Sequence, residues 1–239
     1  VRLNFFPAIS IGLLLLSIFW VGHPVLADLL WGGGVLLHLG LTLYVMNSWI
    51  HHSHYAITHA NPAWFIPVVG NIIVPLAGVP LGHIEVSWFF FSIGLLFWLV
   101  LLTIVIYRLF FHEALPPRLT PTLFILLAPP SVGFLAYAGL HGSLDQGARI
   151  LYYAALFLAL LLASNGLRFW RIPFFLSSWA YSFPLAALAT ATMKMAVLSG
   201  QPALEWLAEA LLLLLSVIVA WLVVRTVQAF AQGRVCVPE

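Results

Sequence analysis

Charged side chains are the scarcest component of this chain. Of its 239 residues, 7% are charged and 63% are hydrophobic, whereas soluble domains average about 25% charged residues. The composition excludes a soluble globular protein and predicts an all-α integral membrane protein. A single cysteine, Cys236, excludes an internal disulfide. The net charge of +2 is too small to indicate a nucleic-acid partner.

Carboxylates are missing from the middle of every long apolar run. All acidic residues lie near the ends of these runs or beyond them. Proton-coupled carriers and cation pathways typically need carboxylates inside the membrane, so their absence argues against both. A conduit for anions is favoured, because a fixed negative charge would repel the solute.

Long hydrophobic runs are what the sequence has instead. A spanning helix needs about 20 mostly apolar residues, and the connections between the runs are short and polar. We therefore expect a single transmembrane domain over residues 1–239. The expected spans are 5–22, 28–49, 63–81, 86–108, 120–140, 147–166, 174–196 and 204–228.

Prolines alternate along these spans. A helix proline removes an amide donor and frees a carbonyl, which needs another partner inside lipid. We expect hairpins of one kinked and one straight helix, with the kinked helices facing a shared interior. The alternative is a chance pattern, since membrane helices are generally richer in proline. The odd-numbered spans contain Pro7, Pro67, Pro75, Pro129, Pro130 and Pro184, and the even-numbered spans contain none.

The basic residues predict the orientation. Cytoplasmic loops are enriched in Lys and Arg, and seven basic residues fall on the amino-terminal side against two on the other. Both termini should therefore be cytoplasmic. The seven are Arg2, Arg108, Arg118, Arg168, Arg171, Arg225 and Arg234, and the two are Arg149 and Lys194.

The seventh span contains the most informative local pattern. Phe183 directly precedes Pro184, and small residues follow. If this face lines a conduit, the ring is a hydrophobic plug, and pores do use apolar constrictions as gates. The alternative is a packed core phenylalanine. Lys194 lies 11 residues after Phe183, roughly 16 Å along a helix. There it would attract anions to the outer mouth of the conduit. The alternative is an ordinary lysine whose side chain extends to the membrane interface.

Polar side chains accompany the prolines of the third and fifth spans. Pro75, four residues after Asn71, leaves a backbone carbonyl without its amide donor. The side chain of Asn71 is placed to bond that carbonyl. Ser131 follows Pro129 and Pro130, where its hydroxyl is available to the interrupted backbone.

A histidine cluster offers a different class of function. His51, His52, His54 and His59 share one predicted loop, and neutral imidazole is a common metal ligand. Membrane desaturases and hydroxylases bind iron through several such clusters, with carboxylates nearby. This chain has one cluster and no carboxylate in the loop, so we expect an ordinary solvated loop. A metal-sensing loop is one alternative, and a metalloenzyme is the remote one.

Three motifs together resemble a known family. NPAWFIPVVGN at 61–71, LAPPSVG at 127–133 and WAYSFP at 179–184 are similar to the tellurite-resistance/dicarboxylate transporter family. That family includes yeast malate permeases and the slow anion channel of plant guard cells. The resemblance covers essentially the whole chain, and it implies a transport protein for small anions, not an enzyme, without a cofactor or metal.

The family fold sets further expectations. It consists of ten helices, arranged as five hairpins around a central pore with quasi-fivefold symmetry, and the kinked inner helices line the pore. The match is to the third to tenth family helices, so one amino-terminal hairpin is expected to be missing. The implied pore-lining kinks are Pro7, Pro75, Pro130 and Pro184, with polar positions at Asn71, Ser131, Tyr181 and Ser182.

The resemblance also assigns a gate, an assembly and a location. The family pattern of an aromatic residue, Ser or Thr, and phenylalanine is matched by Tyr181, Ser182 and Phe183, so Phe183 is the implied pore gate. Homotrimers in a cell membrane, here a bacterial inner membrane, are implied. The solute would be a small inorganic anion in a channel, or a C4-dicarboxylate or tellurite-type oxyanion in a carrier.

Overall fold

Helices make up nearly all of the described backbone. The computed structural model describes residues 2–52 and 55–233, so His54, Arg234 and Cys236 lie outside the described residues. No strand occurs in those two ranges. The α-helices are α1 (Ala8–Phe19), α2 (Pro24–His51), α3 (Phe65–Val69), α4 (Val74–Gly78), α5 (Ile84–Phe111), α6 (Ala128–His141), α7 (Gln146–Ala163), α8 (Gly166–Trp170), α9 (Ser182–Ser199) and α10 (Pro202–Ala231).

Eight apolar helical segments follow one another, as the hydropathy predicts. Six are long and apolar enough to cross a membrane, and Leu3–Phe19 and Pro62–Gly78 are shorter. The all-α membrane class is therefore confirmed. The first segment has a short α-helix, since α1 has 12 residues and is only about 18 Å long. The chain turns after Phe19, and His23 takes a non-helical conformation before Pro24, as residues before proline tend to do.

The proline alternation has a direct structural counterpart. Every proline-bearing segment contains 3-10 helix as well as α-helix, whereas α2, α5, α7 and α10 are each continuous. A missing amide donor weakens the i to i−4 pattern, and the tighter 3-10 geometry is the usual local substitute. The 3-10 pieces are Arg2–Phe5, Pro62–Trp64, Gly70–Ile73, Thr120–Leu127 and Leu176–Tyr181.

Burial follows the same division. A third or fewer of the residues are buried in the apolar windows of the four continuous helices, and in α10 the share is 11%. At least half are buried in the broken segments Thr120–His141 and Leu176–Ser199. These two broken segments are thus more buried than the continuous helices, which leave most of their residues partly or fully exposed, as lipid-facing helices do. The broken first segment departs from this division, because only Ser10, Leu14 and Ser17 are buried in α1.

The first of two compact units comprises Val1–Ala114 and Val132–Leu151. Its centre is the segment Pro62–Gly78, which packs against α1, α2 and α5. Trp31 of α2 donates its indole N–H to the carbonyl of Val74 at 2.9 Å. This bond fixes α2 to a buried carbonyl of the broken helix.

The second unit comprises Leu115–Ser131 and Tyr152–Glu239. Its two 3-10 helices, Thr120–Leu127 and Leu176–Tyr181, pack against each other, and α9 packs along α10. Within α10 only Ala208 and Leu222 are buried. One narrow stripe of that long apolar helix therefore carries its contact with the rest of the unit.

Candidate functional site

The candidate gate lies where one helical geometry changes to another. The 3-10 helix Leu176–Tyr181 ends where α9 begins at Ser182. Phe183 is half-buried, and Pro184 beside it is buried. Pro184 occupies the first turn of α9, where an amide has no intrahelical partner and proline is tolerated. Ser182 Oγ donates to the carbonyl of Trp179 at 2.7 Å, so a side chain bridges the transition.

An aromatic cluster fixes the backbone just before the gate. Tyr181 is buried, and its ring meets Phe124 edge-on with centroids 4.7 Å apart. Phe169 meets Phe124 at 5.0 Å and Tyr181 at 6.3 Å, again near perpendicular. Edge-to-face pairs of this kind add about 0.5–1.5 kcal/mol each beyond their burial. The cluster, Phe124, Phe169 and Tyr181, anchors the position two residues before Phe183.

The rest of α9 is rich in buried small residues. Ala187, Ala189 and Ala191 are buried, which lets neighbouring backbones approach closely. In the same unit Tyr152 Oη donates to Thr192 Oγ1 at 3.3 Å. Lys194 is exposed, as both interpretations of this lysine require.

Asn71 is fully buried in the first unit, but it bonds a different carbonyl from the one expected. Its Nδ2 donates to the Val68 carbonyl at 2.6 Å and to Thr42 Oγ1 at 3.3 Å. Thr42 Oγ1 in turn donates to the Pro67 carbonyl at 2.5 Å. The expected bond to the carbonyl freed by Pro75 is therefore wrong, since the side chains serve the two carbonyls where α3 gives way to the 3-10 turn.

The amide oxygen of Asn71 is left without a partner. Asn71 Oδ1 is buried and accepts no hydrogen bond within the described part of the chain. An unpaired polar atom in an apolar interior costs free energy. It is therefore a candidate contact for water or solute in this segment. Pro75, four residues further on in α4, is buried.

Ser131 does not bond the backbone that Pro129 and Pro130 interrupt, contrary to expectation. Its hydroxyl is buried and has no hydrogen-bond partner among the described residues, so its expected bond to the backbone is wrong. Pro129 and Pro130 lie in the first turn of α6, where amide donors have no intrahelical partner. The hydroxyl is thus free for another group.

Sequence reasoning missed one buried titratable residue of the first unit, His38. It is fully buried in α2, and its Nδ1 lies 2.8 Å from Ser10 Oγ, whose hydroxyl donates to the Pro7 carbonyl. Because the serine already donates its hydrogen to Pro7, Nδ1 carries the hydrogen of the imidazole ring. Nε2 is then an acceptor, and it has no hydrogen-bond partner among the described residues. The signal was available, because an ionisable residue deep in a span is a functional candidate by default.

Glycine makes room for this histidine. A Cβ at Gly70 would lie 2.6 Å from His38 Cε1 and 2.9 Å from Ile11 Cδ1, closer than side chains tolerate. The broken third segment therefore contacts α1 and α2 through its backbone. Pro7 is buried at the start of α1, next to the same cluster.

Charges are kept to the ends of the helices. Asp28 pairs with His83 at 2.8 Å, and His83 stacks on Trp31 with centroids 4.4 Å apart. Asp145 accepts from the Ala148 amide and from the Tyr137 hydroxyl. These bonds hold the pKa of Asp145 below its ordinary value, the backbone amide contributing most. No carboxylate is buried among residues 2–52 and 55–233.

The histidine loop forms no metal site in its described part. His51, His52 and His59 are exposed, and His59 Nδ1 accepts from the Ala56 amide at 3.2 Å. Over the described ranges, no three His, Cys, Asp or Glu side chains are grouped so that they could hold a metal ion.

Comparison with known proteins identifies relatives. A family model described as voltage-dependent anion channel matches residues 1–227. The S-type anion channel SLAH3 of Arabidopsis thaliana is 33% identical over 231 residues, covering 95% of this chain and 36% of that protein. An uncharacterized transporter of Methanocaldococcus jannaschii is 26% identical over 214 residues, which are 79% of this chain and 63% of the transporter.

A third relative is named for tellurite resistance. The tellurite resistance protein TehA homolog of Haemophilus influenzae is 28% identical over 200 residues, covering 79% of this chain and 58% of that homolog. The chain spans about a third of the length of the Arabidopsis channels that it matches. The resemblance drawn from the three sequence motifs is confirmed by these matches.

Proposed function

The chain belongs to the voltage-dependent anion channel family, and on that premise we propose that it passes small anions through a central pore gated by Phe183. It is a multi-pass membrane protein of a family of anion channels and transporters, not of enzymes. The observation that carries the proposal is the family match over nearly the whole chain. The absence of buried carboxylates in the described residues supports anions as the solute.

The surroundings of Phe183 support its role as the gate. Its partly exposed ring follows directly on a geometric transition that the aromatic cluster and Ser182 hold in place. A ring in this position can change its side-chain rotamer without unfolding α9. An apolar ring in a narrow conduit excludes water and ions. Rotation of Phe183 away from the conduit is therefore the proposed opening step.

The proline-broken segments are proposed as the wall. Pro7 and Pro75 belong to the first unit, and Pro130 and Pro184 to the second; all four are buried. The unpaired Asn71 Oδ1 and Ser131 Oγ are proposed to meet the hydration water of the passing anion, with Tyr181 and Ser182 beside the gate. Lys194 is exposed roughly 16 Å along α9 from Phe183, and it would raise the local anion concentration at the outer mouth.

We also propose a membrane topology and an oligomeric state for the protein. We infer a single transmembrane domain over residues 1–239 with both termini in the cytoplasm, supported by the seven basic residues on that side against two. A homotrimer in a bacterial inner membrane is the proposed assembly. Chemical labelling of single cysteines at His23 and Arg118, in a Cys236→Ser background, tests the orientation. Both sites labelled from the same side would contradict it.

The function is tested by ion flux. Purified protein in planar bilayers with a chloride gradient should give a current whose reversal potential follows the chloride equilibrium potential. A reversal potential that follows the cation gradient would contradict a channel for anions, and so would the absence of current from folded Phe183→Ala, in which the proposed plug is removed.

A carrier for C4-dicarboxylates or tellurite-type oxyanions is the second candidate. It is favoured by the relatives named as transporters and as a tellurite resistance protein homolog. Such a protein would show saturable counterflow of labelled malate in liposomes without measurable current. Current without counterflow would instead support the channel.

A further inference from the structure

A basic cavity lies in the second unit, where α7 ends and α8 begins. Its volume is about 370 Å³, and it is lined by Ser164, Asn165, Leu167, Arg168 and Arg171. This size falls in the roughly 300–1,000 Å³ range of small-ligand sites. Ser164 Oγ and Asn165 Nδ2 already donate to the Leu161 carbonyl. The two guanidinium groups are the cationic groups of the cavity.

Nothing in the local sequence neutralises these arginines. Arg168 and Arg171 are exposed, and neither forms an ion pair with a carboxylate in the described part of the chain. No Asp or Glu occurs anywhere from residue 146 to residue 204. They are three residues apart, so both can reach the same side of the short α8 turn.

Further arginines lie at the same end of this unit. Arg225 lies over the ring of Phe174, 5.8 Å from its centroid. Ser177 Oγ donates to the Arg118 carbonyl, which joins the backbone of that arginine to the segment that follows Arg171. The count of basic residues assigns all four arginines to the cytoplasmic side, where the leaflet is anionic.

Two large apolar side chains are exposed beside these arginines, Leu167 in the cavity lining and Trp170 next to it in sequence. Leu167 is 78% exposed and Trp170 is 88% exposed, on either side of Arg168. Tryptophan beside arginine at a helix end is typical of the membrane interface, where the ring lies among headgroups and the charge reaches their phosphates. A soluble anion would use the charges but not these apolar side chains, so the combination favours a lipid.

We propose that Arg168 and Arg171 bind the phosphate group of an anionic phospholipid. Guanidinium groups pair with phosphate oxygens through two parallel hydrogen bonds, the strongest arrangement open to arginine. Leu167 and Trp170 contact the glycerol and the upper acyl chains. Phosphatidylglycerol therefore binds here in preference to phosphatidylcholine, whose positive choline group opposes the arginines.

One residue, Phe169, connects the lipid site to the residues that precede the proposed gate. Phe169, between Arg168 and Trp170 in sequence, turns inward and packs on Phe124 and Tyr181. A lipid that orders α8 also orders this aromatic cluster, and with it the backbone two residues before Phe183. This coupling rests on the proposed function, whereas the binding of the lipid does not.

Binding is measured on the purified full chain in neutral detergent by native mass spectrometry. We expect phosphatidylglycerol to bind more tightly than phosphatidylcholine. Each of Arg168→Gln and Arg171→Gln should weaken phosphatidylglycerol binding about fivefold, and the double variant about 25-fold, from about 1 kcal/mol per basic residue near an anionic surface. The control Arg149→Gln removes an exposed charge of the first unit and should leave the affinity unchanged.

The outcomes separate the possible occupants. Equal affinity for both lipids, or a double variant that binds phosphatidylglycerol like the wild type, would overturn the site. Inorganic phosphate in large excess, at constant ionic strength, should not displace the lipid, and displacement would overturn the lipid as occupant. Unchanged tryptophan fluorescence and a monodisperse elution profile establish that the double variant is folded.

Current recordings then test the coupling. Wild-type current should differ between bilayers with and without phosphatidylglycerol, and this difference should disappear in the double variant. A double variant that keeps the difference would overturn the coupling. Absence of anion current from folded Phe183→Ala in every lipid would refute the proposed function and leave the binding result standing.

Discussion

Gly94 is where α5 approaches the broken third segment most closely, and Gly94→Ala should destabilise the first unit. A Cβ at this position would collide with the Ile72 side chain and lie 2.8 Å from the Ile72 backbone nitrogen. That is about 0.6 Å inside the 3.4 Å at which ordinary contact begins. Because the obstacle includes backbone of the 3-10 turn Gly70–Ile73, no rotamer change can relieve it.

The magnitude follows from two opposed terms. An added methyl group in a packed interior costs about 1–3 kcal/mol, whereas replacing glycine by alanine inside a helix contributes about 1 kcal/mol. We expect a net loss of up to about 2 kcal/mol for Gly94→Ala. The matched control is Gly33→Ala in α2, where a Cβ meets nothing within 4 Å, and it should gain about 0.5–1 kcal/mol.

Unfolding in mixed detergent–SDS micelles, followed by tryptophan fluorescence, measures both variants. The control should unfold at a higher SDS fraction than the wild type, and Gly94→Ala at a lower one. Equal or greater stability of Gly94→Ala relative to the control would refute the close contact between α5 and the 3-10 turn.

Two further predictions use the same assay. Asn71→Ala should lower the free energy of unfolding by about 1–3 kcal/mol, because the buried Val68 carbonyl loses its side-chain donor. The control Asn47→Ala, at an exposed position, should change it by less than about 0.5 kcal/mol. Similar losses of stability in the two variants would contradict the buried bond. Asp145→Asn should lower stability above the ordinary carboxyl pKa of about 3.9. Since the pKa of Asp145 is depressed in the folded state by the Ala148 amide and the Tyr137 hydroxyl, this difference should be constant near neutral pH and disappear as the pH falls through the lowered pKa; a difference that persists in acid would contradict it.

The spans and the two kinds of helix could be predicted because both depend on local chemistry. Twenty apolar residues require a helix in lipid, and a proline interrupts its hydrogen bonds wherever the helix packs. The identity of the broken helices therefore followed from the positions of residues such as Pro75 and Pro184. The 3-10 geometry of the breaks did not, because it depends on which carbonyls find other donors.

The contacts between helices could not be read in the same way. Helices such as α5 are apolar on all sides, so no periodic stripe shows which face is buried. The contact of Gly94 with Ile72 and the pairing of His38 with Ser10 join residues from different helices, and each depends on tertiary packing. The partners assigned to Asn71 and Ser131 were wrong for this reason, since each was argued from its own segment alone.

The central claim is that Phe183 closes an anion pore. The direct measurement is single-channel chloride conductance of Phe183→Ala in planar bilayers, compared with Phe174→Ala, which shortens another half-buried phenylalanine of the second unit that packs on Trp221. The account predicts a large rise in conductance or open probability for Phe183→Ala and currents close to wild type for Phe174→Ala. Unchanged conductance of folded Phe183→Ala, or equal rises in both variants, would contradict it.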